Sequence, residues 1–205
     1  MKIHVFGDSH ASNVHSHWGR INIPNVNIKC YHIGGKLMHT FGRLGLNLLN
    51  IKNCGVKEND IVIFCFGEID CRNHVHKHIN KNQSYKDIID ELSMNYFESI
   101  KKNVSKYTTI KTCVYNIVPP IKYKDGITKP GHPFPFLGTD NERKEYYTYM
   151  NFKLSELCKE NNMIFFDIYS QSCCENGFLR DDYSDGVCHL RNATDSTKFI
   201  KEKLL

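Results

Sequence analysis

Gly7-Asp8-Ser9-His10 closes the first apolar run of the chain and is the stretch best suited to chemistry. Lys2-Ile3-His4-Val5-Phe6 alternates and ends in an apolar pair, which predicts a buried strand broken by Gly7. A serine at the strand-to-helix turn that follows projects from the carboxyl edge of a sheet. The backbone N–H groups after it open a helix and face whatever sits there. Such a position suits a nucleophile. It also suits a helix cap, a place where Ser and Asp are both favoured. Three further polar clusters punctuate the chain: Gly34-Gly35, Gly67-Glu68-Ile69-Asp70-Cys71-Arg72, and Ser184-Asp185-Gly186-Val187-Cys188-His189-Leu190. His74, His76 and His78 alternate, and on a strand they would share a face, as metal ligands can. No Asp, Glu or Cys at suitable local spacing completes that set, so the expectation is a solvated loop and no metal. Asp8 would suit a metal-dependent phosphatase only beside a second carboxylate cluster, and none is present.

The elements that must hold these residues follow from hydrophobic spacing. Asn27 to Ile33 alternates like a second strand, Ile61 to Phe66 is an unbroken apolar run of the kind found in central parallel strands, and Thr109–Val118 and Met163–Ile168 read as two more. Helical spacing covers 36–51, 84–107, 142–161 and 194–205, and a short irregular helix is expected over 11–20 with Trp18 packed beneath it. Ile121 to Asp140 holds three of the six prolines and little periodicity, which predicts a long loop at the carboxyl edge. Strands alternating with helices imply a three-layer α/β/α sandwich with a five-stranded parallel sheet, whose ligands bind beyond the carboxyl ends of the strands. All four polar clusters are placed at that edge or just before the last helix.

The 205 residues are expected to form a single domain, 1–205, large enough to bury a core without staples. Net charge is +5 with both signs mixed along the chain, so no dedicated nucleic-acid surface is expected. No run approaches a membrane span, and a strand beginning at residue 2 leaves no room for a signal peptide, so a cytoplasmic location is expected. Nine cysteines without a CxxC pair fit neither a disulfide framework nor a zinc ribbon. Cys65 and Cys113 lie in apolar runs, where a free thiol acts as a small hydrophobe.

Taken in order, the four clusters from Phe6 to Leu190 resemble those of the SGNH, or GDSL-like, hydrolase family, whose fold is flavodoxin-like. The resemblance implies that Ser9 is the nucleophile, His189 the general base and Asp185 its orienting carboxylate. It also implies an oxyanion hole from the Ser9 N–H and that of Gly34 or Gly35, with no cofactor. Asp8, His10, Glu68 and Asp70, polar neighbours of those positions, are the expected substrate-binding residues. The chemistry asks for the same types. A serine needs an imidazole to remove its proton, the imidazole needs a carboxylate to hold its tautomer, and the oxyanion needs donors already aimed at it.

Two departures stand out. The family's third block reads Gly-x-Asn-Asp, whereas here Ile69 replaces the oxyanion asparagine and cannot donate. Arg72 could supply that donor, or it could pair with Glu68 or Asp70 and brace the loop. The family's last block has two residues between aspartate and histidine, whereas Gly186-Val187-Cys188 makes three, which leaves Asp182 as a competitor for the orienting role. The expected function is a serine esterase for small acyl esters, most readily acetyl groups on a carbohydrate. An O-acyltransferase of the same family, or an inactive domain binding a glycan or partner, are the alternatives. Tyr123, His132, Phe134 and Phe136 in the Pro-rich loop offer an aromatic wall for a sugar or acyl chain, or a buried patch.

Overall fold

Ile61 to Cys65 has every side chain buried, as a strand covered on both faces requires, and it forms the centre of the sheet. The computed structural model describes residues 1–124 and 131–205. Its strands are β1 (Lys2–Gly7), β2 (Asn27–His32), β3 (Ile61–Cys65), β4 (Lys111–Tyr115) and β5 (Ile164–Phe166). They form one parallel sheet in the order β2-β1-β3-β4-β5, the flavodoxin-like order. The direction of winding reverses between β1 and β3, so a crevice opens beyond their carboxyl ends, and Ser9 lies two residues past the end of β1.

The helices are α1 (Met38–Leu44), α2 (Val75–His78), α3 (Tyr85–Val104), α4 (Asp140–Glu160), α5 (Tyr169–Ser172) and α6 (Thr194–Phe199). Alternate strand residues face opposite sides, and each side carries its own core. Phe6, Val62, Phe64 and Val114 pack under α1, α3 and α4 through Phe41, Tyr96 and Met150. Ile3, Val5, Ile63 and Tyr115 pack against Trp18 and the carboxyl-terminal Ile200 and Leu204. Two capping boxes set the long helices. Ser84 and Asp87 exchange side-chain-to-backbone bonds at the start of α3, and Thr139 and Glu142 do so at α4. Each cap stabilises its helix by about 1 kcal/mol. Among the described residues, no helix is long and apolar enough to cross a membrane.

Several elements differ from the sequence expectation. The helix expected over 11–20 is two 3-10 turns, Ser9–Ala11 and His17–Arg20, because the Ser12 hydroxyl accepts the N–H groups of Val14 and His15 and offers the backbone an alternative partner. The helix expected over 36–51 stops at Gly45, whose φ of +49° a helix cannot continue. β4 and β5 are shorter than their apolar runs. The stretch containing His74, His76 and His78 is neither strand nor loop: a π turn over Asp70–His74 runs into α2. Helical spacing brings the His74 and His78 rings together, tilted, with centroids 4.2 Å apart, and sends His76 to the Tyr146 hydroxyl at 3.1 Å. Part of the long loop expected over 121–140, residues 125–130, lies outside the described residues.

Candidate active site

Gly7 decides how closely β1 and β3 approach at their carboxyl ends. A Cβ there would lie 1.8 Å from the Cys65 carbonyl oxygen, so only glycine fits, and the Asp8 N–H donates to that same oxygen at 3.3 Å. Asp8 then caps the 3-10 turn that carries Ser9, its Oδ1 accepting the His10 N–H at 2.8 Å. Ser9 is half-buried, and its Oγ lies 2.8 Å from Nε2 of His189.

His189 arrives from the loop before α6, in a turn closed by Asp185. One carboxylate oxygen of Asp185 accepts the N–H groups of Val187, Cys188 and His189 at 2.8, 3.0 and 3.0 Å, and the other lies 2.7 Å from His189 Nδ1. Gly186, at φ +86°, and a bond from the Asp185 N–H to the His189 carbonyl at 3.0 Å complete the turn. The third intervening residue is thus absorbed in a ring of hydrogen bonds. Asp182 is exposed and pairs with Arg180 at 2.7 Å, so it is Asp185 that faces the imidazole. Burial lowers the affinity of His189 for a proton, but the Asp185 carboxylate more than offsets this and pushes its pKa up to about 9. Burial raises the Asp185 pKa, and the His189 ring and the Val187 N–H together hold it well below the ordinary carboxylate range.

Gly34 and Gly35 follow β2 and are exposed, and Phe134 packs so closely on Gly35 that a Cβ there would lie 2.9 Å from its ring. Among the described residues, the N–H groups of Ser9, Gly34 and Gly35 have no backbone acceptor. Arg72 takes the bracing position of the two left open by the sequence. Its Nε lies 3.0 and 3.1 Å from the two oxygens of Glu68, its Nη1 donates to the Phe134 carbonyl at 3.0 Å, and its guanidinium sits 5.0 Å above the Phe136 ring. It therefore ties the segment after β3 to the Pro-rich loop, as do the Asn73 side chain on the Pro135 carbonyl and the Leu137 N–H on the Arg72 carbonyl. In that loop Phe136 is buried, Tyr123 is exposed and Phe134 is half-buried beside Gly35, so only part of the expected aromatic wall faces outward.

The four residues expected to bind substrate are buried and engaged elsewhere. Asp70 is fully buried and accepts the N–H groups of Met38 and His39 at 2.6 and 3.1 Å, starting α1. Glu68 pairs with Arg72 and accepts the Tyr147 hydroxyl at 2.8 Å. Asp8 and His10 bond to each other, with His10 Nδ1 at 3.1 Å from Asp8 Oδ1 and Nε2 at 3.1 Å from the Cys188 carbonyl. The sequence reading missed Tyr147 and the His10–Cys188 bridge, since neither spacing nor residue type signals a contact across 178 positions. It also missed exposed His15, whose ring stands 5.9 Å from that of His189 at the mouth of the site.

His10, Cys188 and His189 offer donor atoms within 4.8 Å of one another, the set among the described residues with the spacing of a metal site. Their orientations do not fit one. Both His10 ring nitrogens face acceptors, and Cys188 Sγ is 3.9 Å from each ring nitrogen of His189, off the lone-pair axis of either.

No protein-family profile matches the sequence, and no curated protein matches it. Solved structures do match. An aryl esterase of M. smegmatis superposes with a TM-score of 0.62 at 13% identity, covering 98% of both chains. A GDSL-like lipase of Bacteroides thetaiotaomicron gives 0.61 at 15% identity over 100% of this chain and 89% of the other. Phospholipase A1 of Streptomyces albidoflavus gives 0.58 at 12% identity over 98% and 96%. This chain has the SGNH hydrolase fold. In that SGNH frame, the serine after β1 and the histidine before the last helix meet across the crevice where winding reverses.

Proposed function

We propose that this chain is a serine ester hydrolase acting on small acyl esters, most readily acetyl groups carried by a carbohydrate. The observation that carries the reading is the unbroken relay from Ser9 Oγ to His189 at 2.8 Å and from His189 to Asp185 at 2.7 Å. Likeness to the aryl esterase and lipase structures supports ester chemistry at the level of the fold.

In this reading neutral His189 takes the Ser9 proton as Oγ attacks the acyl carbon, and Asp185 steadies the imidazolium that forms. The carbonyl oxygen becomes an oxyanion, for which the Ser9 N–H and that of Gly34 or Gly35 are the donors. Each such donor contributes several kcal/mol, on the order of a hundredfold in rate. Imidazolium His189 returns its proton to the leaving alcohol as the C–O bond breaks, and water, deprotonated by the same ring, releases the acid and restores Ser9. Phe134 beside Gly35 gives the acyl or sugar group an apolar face. All nine cysteines are free thiols, which supports a reducing, cytoplasmic compartment.

The test is hydrolysis of an aryl acetate and labelling by a serine-directed fluorophosphonate, with Ser9→Ala expected to abolish both. A wild-type protein that neither turns over the ester nor takes the label would overturn the reading in favour of a binding domain.

A further inference from the structure

His10 is almost wholly buried, yet both its ring nitrogens face groups that accept. Nδ1 meets the Asp8 carboxylate and Nε2 meets the Cys188 carbonyl, each at 3.1 Å. A neutral imidazole has a single N–H and can satisfy only one of them. Asp8 is fully buried, and its second oxygen has no partner among the described residues, so the cation it needs is the imidazole beside it. The His10 ring also lies tilted against that of His189, with centroids 4.8 Å apart.

We propose that His10 is a positioning residue, locked as an imidazolium between Asp8 and the Cys188 carbonyl, which fixes the backbone next to His189 and sets a positive charge beside the base. The inference rests on the serine-hydrolase reading for its consequence, though not for the charge itself. Asp185 strengthens the hold of His189 on its proton, and the neighbouring cation works against that, towards the neutral ring that Ser9 needs. The same charge disfavours the imidazolium formed during attack but favours the oxyanion formed with it.

The other groups facing this pair do not supply such a charge. Arg72, from the segment after β3, is bound to Glu68 and donates to the Phe134 carbonyl of the Pro-rich loop, whereas the His10 ring itself borders that of His189. Burial and the nearby His10 push His17 down to about 3, so it is neutral and its ring bonds the Ser196 and Ser16 hydroxyls. Cys188 and Asp185 come from the closing loop and offer no cation, and His15 is exposed at the rim. His10 itself is held well above the ordinary histidine range, burial working against the proton and the Asp8 carboxylate outweighing it.

Two measurements test the proposal. Long-range proton–nitrogen NMR of the wild-type protein at pH 8 should show both His10 ring nitrogens protonated, and a neutral His10 ring would overturn it. In His10→Gln, which keeps a donor for the Cys188 carbonyl, the pH limb for fluorophosphonate labelling of Ser9 should move up by about one unit. The high-pH plateau should stay within about threefold of wild type. A lowered plateau with the limb in place would mean a purely structural role and would also overturn the proposal. Should His10→Gln fail to fold, Asp8→Asn keeps the ring and should bring the His10 titration into the ordinary range, and no change there would refute the Asp8–His10 pairing. Wild-type protein that takes no label, with His10 nonetheless charged, would count against the hydrolase reading and not against the imidazolium.

Discussion

Replacing Arg72 by Ala separates bracing from catalysis at the position where Ile69 departs from the family pattern. Arg72 and Glu68 are 5% and 3% exposed, and the guanidinium is the cation in contact with that carboxylate. Removing one partner of a buried ion pair typically costs about 3–5 kcal/mol, because the other charge is left uncompensated. The Tyr147 hydroxyl remains on Glu68 at 2.8 Å and softens the loss, which favours the lower part of that range. For a domain of this size each kcal/mol corresponds to roughly 2–4 °C, so 3–4 kcal/mol corresponds to a Tm lower by roughly 6–16 °C. Calorimetry should show that drop, and adding Glu68→Gln should recover part of it by removing the stranded charge. Aryl-acetate turnover by the folded fraction should keep kcat within about threefold. A Tm lowered by less than about 2 °C, together with a hundredfold loss of kcat at unchanged KM, would refute this and return the guanidinium to the oxyanion.

With the His189 pKa pushed up to about 9 from an ordinary 6.5, kcat/KM should climb with pH and level off only above about 9. A limb near 6.5 would show that Asp185 does not hold the ring. The sign for stability is opposite: the His189–Asp185 contribution is full below about 6.5 and is lost as pH rises through about 9, so Tm should fall over the window in which activity rises. Asp185→Asn should lower kcat by about 10⁴, whereas Asp182→Asn, at a carboxylate paired with exposed Arg180, should change it less than about twofold; equal losses would undo the assignment. Gly7→Ala drives a Cβ to 1.8 Å from the Cys65 carbonyl and should cost more than about 3 kcal/mol, read as a large loss of Tm or of soluble protein.

The alternation of strands with helices and the placement of Ser9 at the end of the first strand were legible because they depend on local signals: an alternating run, a glycine, then capping residues. The order of the strands in the sheet does not, and only the family resemblance implied it. Where a competing local bond was at work, the sequence misled. Ser12 bonding Val14 and His15 unmade a helix, and the alternation of His74, His76 and His78 turned out to lie on a helical segment. Glu68, Asp70 and Asp8 were readable as polar residues near a site, but not as residues facing inward, since that depends on Tyr147, Met38 and His10 arriving from elsewhere.

The turn from Asp185 to His189 shows why a spacing rule alone falls short. With three residues between them, the two oxygens of Asp185 serve different tasks, one gathering three backbone N–H groups and the other orienting the imidazole. The first task fixes the loop on which the second depends. The loop is held from outside as well, by His10 on the Cys188 carbonyl, so the base is anchored by one carboxylate within its own turn and by another, Asp8, through His10. Both anchors lead back to charge: Asp185 draws a proton onto His189, and the Asp8–His10 pair sets a cation against it. The operating pH of the site then depends on the difference between these two effects, which no single residue of the motif reveals.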